Sequence, residues 1–221
     1  MTEQESRRPL KVREVGLVQR FARWLSQRNI TPNQISVGSV VFALLAALSL
    51  LALREGSPWF AWAAALFIQC RLLCNLFDGM VAVEGGKSTP AGELFNDIPD
   101  RIADPLIIVA AGYAVTVVNW AADLGWLAAL LAVLTAYVRT LASASGAPTR
   151  FTGPMAKQQR MALMTIAALL TPVEHYFNAT AGYTILFALL LIAVGSALTT
   201  ARRACDAFHY LNASARSASH D

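Results

Sequence analysis

Two apolar stretches of the sequence carry polar side chains at helical spacing. In the first stretch, Arg71, Asn75 and Asp78 are four and three residues apart, which stacks them on one face of a helix. In the second stretch, three polar residues recur at every fourth position, and these are Asn96, Asp100 and Asp104. Ionisable groups within apolar segments are costly, and they therefore mark functional sites. The two faces predict one cluster of carboxylate and amide oxygens.

The residue types of this cluster favour a hard divalent cation. Carboxylate and amide oxygens are the ligands that Mg²⁺ and Mn²⁺ prefer, whereas Zn²⁺ prefers His and Cys. The histidines lie elsewhere in the chain, at positions 175, 209 and 220. The alternative is a structural network of salt bridges, in which Arg71 and Arg101 pair with the acids of the same helices.

The composition indicates that the elements carrying these residues lie in a membrane. Of the 221 residues, 56% are hydrophobic and 14% are charged, whereas a soluble globular domain carries about 25% charged residues. Residues 35–53 are uncharged and long enough to cross a hydrocarbon core of roughly 30 Å. We expect an all-α, polytopic membrane protein with six transmembrane helices, at residues 33–53, 58–83, 92–118, 123–145, 154–173 and 180–203.

The segments outside the spans differ in character. Between Leu10 and Asn29, apolar residues recur at helical spacing and arginines occupy the other faces, as is typical of an amphipathic helix on an anionic membrane surface. We therefore expect a cytoplasmic N-terminal segment at residues 1–30 and a membrane domain at 31–203. Residues 204–221 are expected to form a disordered cytoplasmic tail.

The distribution of Lys and Arg predicts the orientation. Seven of the 18 Lys and Arg residues precede the first span, and Arg54 is the one that falls on the opposite side. Both termini are therefore expected in the cytoplasm, with the polar cluster near the cytoplasmic end of a multi-pass protein of the cell (inner) membrane. The partners expected are membrane lipids and small molecules, with no nucleic acid.

The polar pattern resembles the signature of the CDP-alcohol phosphatidyltransferases. That signature reads D-x-x-D-G-x-x-A-R, then eight residues, then G-x-x-x-D-x-x-x-D. The chain reads Asn75-x-x-Asp78-Gly79-x-x-Ala82-Val83, then eight residues, then Gly92-x-x-x-Asn96-x-x-x-Asp100. The spacing agrees throughout, and the residue type departs from the signature at Asn75, Val83 and Asn96.

The resemblance implies a reaction and the residues that perform it. It implies transfer of a phosphatidyl (phospho-alcohol) group from a CDP-linked donor, which we expect to be CDP-diacylglycerol, to a hydroxyl acceptor with release of CMP. Mg²⁺ or Mn²⁺ would be held by Asn75, Asp78, Asn96 and Asp100, and Asp100 would also be the catalytic base. The CDP donor would lie against Thr31, Pro32, Asn33, Gln34, Gly79, Ala82, Thr89 and Gly92. The resemblance also implies a homodimer.

Basic residues in the later spans indicate the acceptor. In family members whose acceptor carries a phosphate, basic residues at places similar to Arg139, Lys157 and Arg160 bind that phosphate. We therefore expect a phosphorylated polyol as the acceptor. The alternative is that these residues only follow the positive-inside rule, with long side chains reaching the interface.

The asparagines leave a second function open. An Asn side chain can coordinate Mg²⁺ through its carbonyl oxygen, but it contributes no charge. Asn75 and Asn96 therefore also fit a catalytically inactive protein of this shape that binds a CDP-linked lipid or a partner. The two functions differ at Asp100, because transfer needs a base and binding does not.

Overall fold

The regular structure of the described residues is entirely helical. The computed structural model describes residues 16–28, 30–84, 92–149, 152–178 and 182–218. Its α-helices are α1 (Gly16–Gln27), α2 (Pro32–Ala52), α3 (Phe60–Glu84), α4 (Gly92–Ala114), α5 (Ala121–Ala144), α6 (Lys157–Asn178) and α7 (Tyr183–Ala218). A short 3-10 helix, Leu53–Glu55, follows α2. The predicted all-α fold is confirmed.

The six long helices pack as a closed ring. Going around it, α2 contacts α4, α4 contacts α5, α5 contacts α7, α7 contacts α6, and α6 returns through α3 to α2. Helix α4 also contacts α6 and α7 across the ring. We call the end at which α2 and α4 begin and α3 ends the polar end, and the other the opposite end.

Small residues allow the helices to approach closely. A Cβ atom added to Gly112 of α4 would lie 2.8 Å from the carbonyl oxygen of Ala121 and 2.9 Å from the Cα of Gly125 in α5. Close approach of this kind is typical of helices that pack within a membrane. Glycine at both positions therefore allows α5 to pack directly against α4, the helix that carries the predicted residues Gly92, Asn96 and Asp100.

The start of α2 is fixed by its own side chains. The Thr31 hydroxyl accepts a hydrogen bond from the Gln34 N–H at 3.3 Å, and the Gln34 side chain accepts one from the Thr31 N–H at 3.0 Å. Pro32 occupies the first helical turn, where its missing N–H costs nothing. This capping box anchors the first residue of α2 at the polar end.

Within the described ranges, four helices are long and apolar enough to cross a membrane, as expected of a membrane protein. They occupy Pro32–Glu55, Phe60–Ala82, Ala121–Ala144 and Tyr183–Arg216. Helices α4 and α6 complete the ring beside them, but they carry the charged residues that face its interior. The count of six spans therefore stays a prediction.

The two terminal segments differ in how they compare with the sequence. Helix α1 lies within the predicted amphipathic stretch, and its Phe21 packs against Phe77 of α3 with ring centroids 4.8 Å apart.

Helix α7 runs to Ala218, so residues 204–218, for which disorder was predicted as part of the tail 204–221, are helical. Those residues contain no Gly or Pro and therefore continue the helix. At 36 residues α7 is about 54 Å long and extends beyond the hydrocarbon core.

Candidate active site

A buried arginine lies at the centre of the polar residues. Arg71 of α3 is fully buried, and its Nη2 lies 3.0 Å from Oδ1 of Asp100 and 2.6 Å from Oδ1 of Asp104. A guanidinium removed from water needs carboxylate partners to offset its desolvation. Arg71 therefore ties α3 to two successive turns of α4.

Helix α6 supplies two more cations to the same carboxylates. The Nζ of Lys157 contacts Oδ2 of Asp100, and Nη2 of Arg160 lies 3.0 Å from Oδ2 of Asp104. Arg160 also donates to the Thr135 hydroxyl of α5 at 3.4 Å. The cluster therefore joins four helices through side chains, and we call its charged members the charge cluster. These members are Arg71, Asp78, Asp100, Asp104, Lys157 and Arg160.

The salt-bridge network that the sequence left open is present. Arg71 bridges Asp100 and Asp104, and Arg101 pairs with Asp97 one turn earlier on α4 at 3.0 Å. Arg101 therefore belongs to a separate, more exposed pair. Among the described residues, Asp78 is the one acid of the charge cluster that makes no ion pair.

Asp78 has an oxygen without a partner. Its side chain is 3% exposed, and its Oδ2 accepts a hydrogen bond from the Ser36 hydroxyl of α2 at 2.7 Å. Its Oδ1 is buried and has no hydrogen-bond partner among the described residues. Leaving a buried acceptor unsatisfied costs stability, so such an atom indicates a place that a ligand completes.

The Asn75 side chain makes a hydrogen bond to Asp100, the predicted base. Its Nδ2 donates to Oδ1 of Asp100 at 2.9 Å. An aspartate at position 75 would place a second carboxylate against Asp100, and like charges at that distance repel. With its nitrogen turned to Asp100, Asn75 offers its carbonyl oxygen to a cation.

The predicted metal ligands are only partly assembled in the described residues. No group of three His, Cys, Asp or Glu side chains within those ranges is arranged to hold a metal ion. Asp100 is engaged by Arg71 and Lys157, and the Asn96 side chain lies outside the description. Asp78, with its free buried oxygen, and Asn75 nevertheless fit a hard divalent cation in chemical type.

The predicted donor-binding residues gather at the polar end. Thr31 to Gln34 form the first turn of α2, where two of their side chains make the capping box. Gly79 and Ala82 lie on the last turns of α3, and Gly92 is the first residue of α4. Thr89 lies outside the described residues.

The predicted acceptor-binding arginine belongs to a second polar group. Nη2 of Arg139 on α5 lies 3.1 Å from Oδ2 of Asp97. Arg139 also borders a cavity of about 20 Å³ together with Arg203 and Asp206 of α7. A cavity of this volume holds about one water molecule.

Several residues of the site were missed by sequence reasoning. Ser36 and Thr135 are common residue types in membrane helices, and Arg203 is one of several basic residues that the orientation rule already explains. Nη1 of Arg203 donates to the Thr135 carbonyl at 2.7 Å, and Nε donates to the Thr152 carbonyl at 3.0 Å. Ser36 lies near Thr31 at the start of α2, and this position was the one signal in the sequence that could have identified it.

A family model matches most of the chain. The model of the CDP-alcohol phosphatidyltransferase family covers residues 29–201, which include all six helices of the ring for most of their length. Comparison with curated proteins found no match.

Solved structures share the fold. One is the phosphatidylinositol phosphate synthase of Mycobacterium tuberculosis in complex with manganese and citrate, with a TM-score of 0.71, 19% identity, and coverage of 86% of this chain and 88% of that one. The same enzyme with CDP-DAG bound gives a TM-score of 0.70, 19% identity, and coverage of 87% and 94%. Its apo form gives a TM-score of 0.69 and 19% identity, and the match covers 85% of this chain and 94% of that one.

Proposed function

Since the chain belongs to the CDP-alcohol phosphatidyltransferase family, we propose that it transfers a phosphatidyl or similar phospho-alcohol group from a CDP-linked lipid to a hydroxyl acceptor, releasing CMP. The observation that carries the proposal is the buried pair of signature acids, Asp78 with an oxygen that has no hydrogen bond and Asp100 in contact with the partly exposed Lys157. We propose CDP-diacylglycerol as the donor, and the related fold solved with CDP-DAG bound supports that choice.

The metal proposed is Mg²⁺ or Mn²⁺, and Asp78 and Asn75 are the described residues that would hold it. Held by these residues, a divalent cation would neutralise phosphate charge on the leaving group. The manganese in the structure of the related synthase supports this choice of metal class. Asn96 remains part of the proposed ligand set through its position in the signature.

Asp100 is the proposed base. Its Oδ1 accepts hydrogen bonds from Arg71 and Asn75, and its Oδ2 contacts Lys157. A carboxylate has about four lone-pair positions, so one on Oδ2 stays available to an acceptor hydroxyl. As the hydroxyl oxygen bonds to the lipid-side phosphorus, its proton passes to Asp100 and the bond between that phosphorus and the CMP oxygen breaks.

The acceptor proposed is a phosphorylated polyol. Arg139 and Lys157 have side chains 25% and 28% exposed, so a phosphate can reach both. Arg160 is almost fully buried against Asp104, so it would act chiefly by positioning the cluster. The predicted homodimer, the donor contacts at Thr31–Gln34 and the cytoplasmic termini remain parts of this proposal.

One observation favours the second candidate, a protein that binds a CDP-linked lipid without turning it over. Arg71 and Lys157 both engage the carboxylate that transfer requires. In a binding protein this arrangement would simply hold α3, α4 and α6 together.

The test is acceptor-dependent release of CMP. Purified full-length protein in liposomes of CDP-diacylglycerol would receive Mg²⁺ or Mn²⁺ and pooled free and phosphorylated polyols. We expect CMP release that depends on the pool, and dividing the pool then identifies the acceptor. Binding of the CDP-linked lipid without CMP release from any pool would favour the second candidate.

A further inference from the structure

The charge cluster itself indicates how many metal ions it holds. We propose that it binds a single divalent cation, on Asp78 and Asn75, and that Lys157 supplies to Asp100 the positive charge that a second cation would otherwise provide. The inference rests on the proposed function, because the cation concerned is the one that the transfer reaction would use.

Asp78 has the features of a residue that receives a ligand. It is nine-tenths or more buried, and Ser36 fixes its Oδ2 by a hydrogen bond of 2.7 Å. Its Oδ1 is left with no hydrogen-bond partner among the described residues. A fixed, buried and unsatisfied carboxylate oxygen is a strong ligand for a hard cation.

Each oxygen of the other two carboxylates of the cluster lies within ion-pair distance of a basic side chain. Asp100 contacts Arg71 and Asn75 through Oδ1 and Lys157 through Oδ2. Asp104 has Arg71 2.6 Å from Oδ1 and Arg160 3.0 Å from Oδ2. Oδ1 of Asp104 also has no hydrogen bond, but Arg71 lies against it, so among the described residues Oδ1 of Asp78 is the one carboxylate oxygen of the charge cluster with neither a hydrogen bond nor an ion pair.

The net charge of the charge cluster favours one divalent cation over two. The cluster contains three acids and three basic residues, so it is neutral before any ion binds. One divalent cation adds two positive charges, which the diphosphate of a CDP-linked donor can offset. A second would add two more in a buried site where neither Asn75 nor the paired acids can compensate, and uncompensated buried charge is strongly unfavourable.

Lys157 is the basic residue of the charge cluster whose place a metal ion could take. It is the first residue of α6 and its side chain is 28% exposed, whereas Arg71 is fully buried and Arg160 nearly so. Removing Lys157 would free Oδ2 of Asp100 while leaving both arginines in place. The geometry therefore predicts that losing this one charge creates a second metal site.

The experiment counts bound Mn²⁺ by electron paramagnetic resonance on the full-length protein in nanodiscs, without substrate. We expect one ion per chain for the wild type, none for Asp78→Asn, and two for Lys157→Met. Lys157→Arg is the matched control, since it keeps the charge and should keep one ion. Size-exclusion chromatography would show that each variant is folded, and if Asp78→Asn is not, the two Lys157 variants decide.

Several results would overturn the inference. They are no ion or two ions bound by the wild type, one ion that survives Asp78→Asn, or a single ion in Lys157→Met. CMP release measured on the same preparations separates this inference from the proposed function. One ion without CMP release would refute the transferase and keep the metal count, whereas CMP release with two ions would refute the count alone.

Discussion

Two carboxylates at the two ends of the bundle show how a structural acid differs from one that receives a ligand. Glu174, at the opposite end, accepts hydrogen bonds from backbone N–H groups at the start of α7. The donors are Gly182 at 3.0 Å, Tyr183 at 2.7 Å and Thr184 at 3.0 Å. Asp78, at the polar end, accepts a hydrogen bond from the Ser36 hydroxyl and keeps one buried oxygen without a hydrogen-bond partner in the described part of the chain. The number of satisfied oxygens therefore separates the two roles better than residue type or depth.

The physical reason is what each acid compensates. Glu174 lies at the N-terminus of α7, where backbone N–H groups lack helical partners and the helix dipole favours negative charge. The negative charge of Glu174 is therefore compensated by the start of α7. At Asp78 one buried oxygen has no hydrogen bond, so binding a cation there is one way to compensate the carboxylate.

The largest effect is expected from removing the cation that serves two acids. Arg71→Met leaves Asp100 and Asp104 with one fewer positive partner in a buried site, and breaking a buried ion pair on one side costs about 3–5 kcal/mol. We expect a matching loss of stability in denaturant unfolding in detergent. Arg101→Met, which breaks the half-exposed pair with Asp97, should cost less than about 1 kcal/mol. Equal losses would show that Arg71 is not the centre of the cluster.

The next effect sharpens the contrast at Asp78 itself. Asp78→Asn keeps the shape and an oxygen for Ser36 but removes the charge, so we expect CMP release to fall by about 100-fold with little change in stability. Activity in CDP-diacylglycerol liposomes and thermal unfolding of the same sample would be compared. A large loss of stability with no loss of specific activity would instead assign Asp78 the structural role of Glu174.

The smallest effect is expected at Glu174, and it should have the opposite character. Glu174→Ala leaves the first N–H groups of α7 without their acceptor, which should cost about 1–3 kcal/mol of stability. CMP release per folded molecule should be unchanged, because the residue lies at the opposite end. A fall in activity comparable to that of Asp78→Asn would break the comparison.

The helical period was sufficient to find the acids but not their partners. Spacings of three and four placed Asn75 with Asp78, and Asp100 with Asp104, on faces that do meet in the structure. Which cation pairs with which acid depends on how α6 packs between α3 and α7, and that long-range arrangement leaves no local pattern. The ion pair of Arg160 with Asp104 was therefore not predicted, and the role of Arg160 toward a substrate phosphate, which the family resemblance implies, stays a prediction.

The end of α7 shows a second limit of pattern reasoning. Hydropathy marks where an apolar span stops, and it therefore predicted an end at residue 203. Helix continuation depends on helix propensity instead, and residues 204–218 contain Ala, Arg and Leu without Gly or Pro. The predicted apolar span ends at residue 203, whereas the helix ends at Ala218.

The most direct test of the proposed transfer reaction is the effect of Asp100 on CMP release. Asp100→Asn would be compared with wild type and with Asp123→Asn, an exposed acid at the opposite end, in liposomes containing CDP-diacylglycerol, Mn²⁺ and the acceptor pool. We expect acceptor-dependent CMP release from the wild type and Asp123→Asn, and a loss of at least about 100-fold in Asp100→Asn because the acceptor proton has no base. Equal CMP release by all three proteins would contradict the assignment of Asp100 as the base.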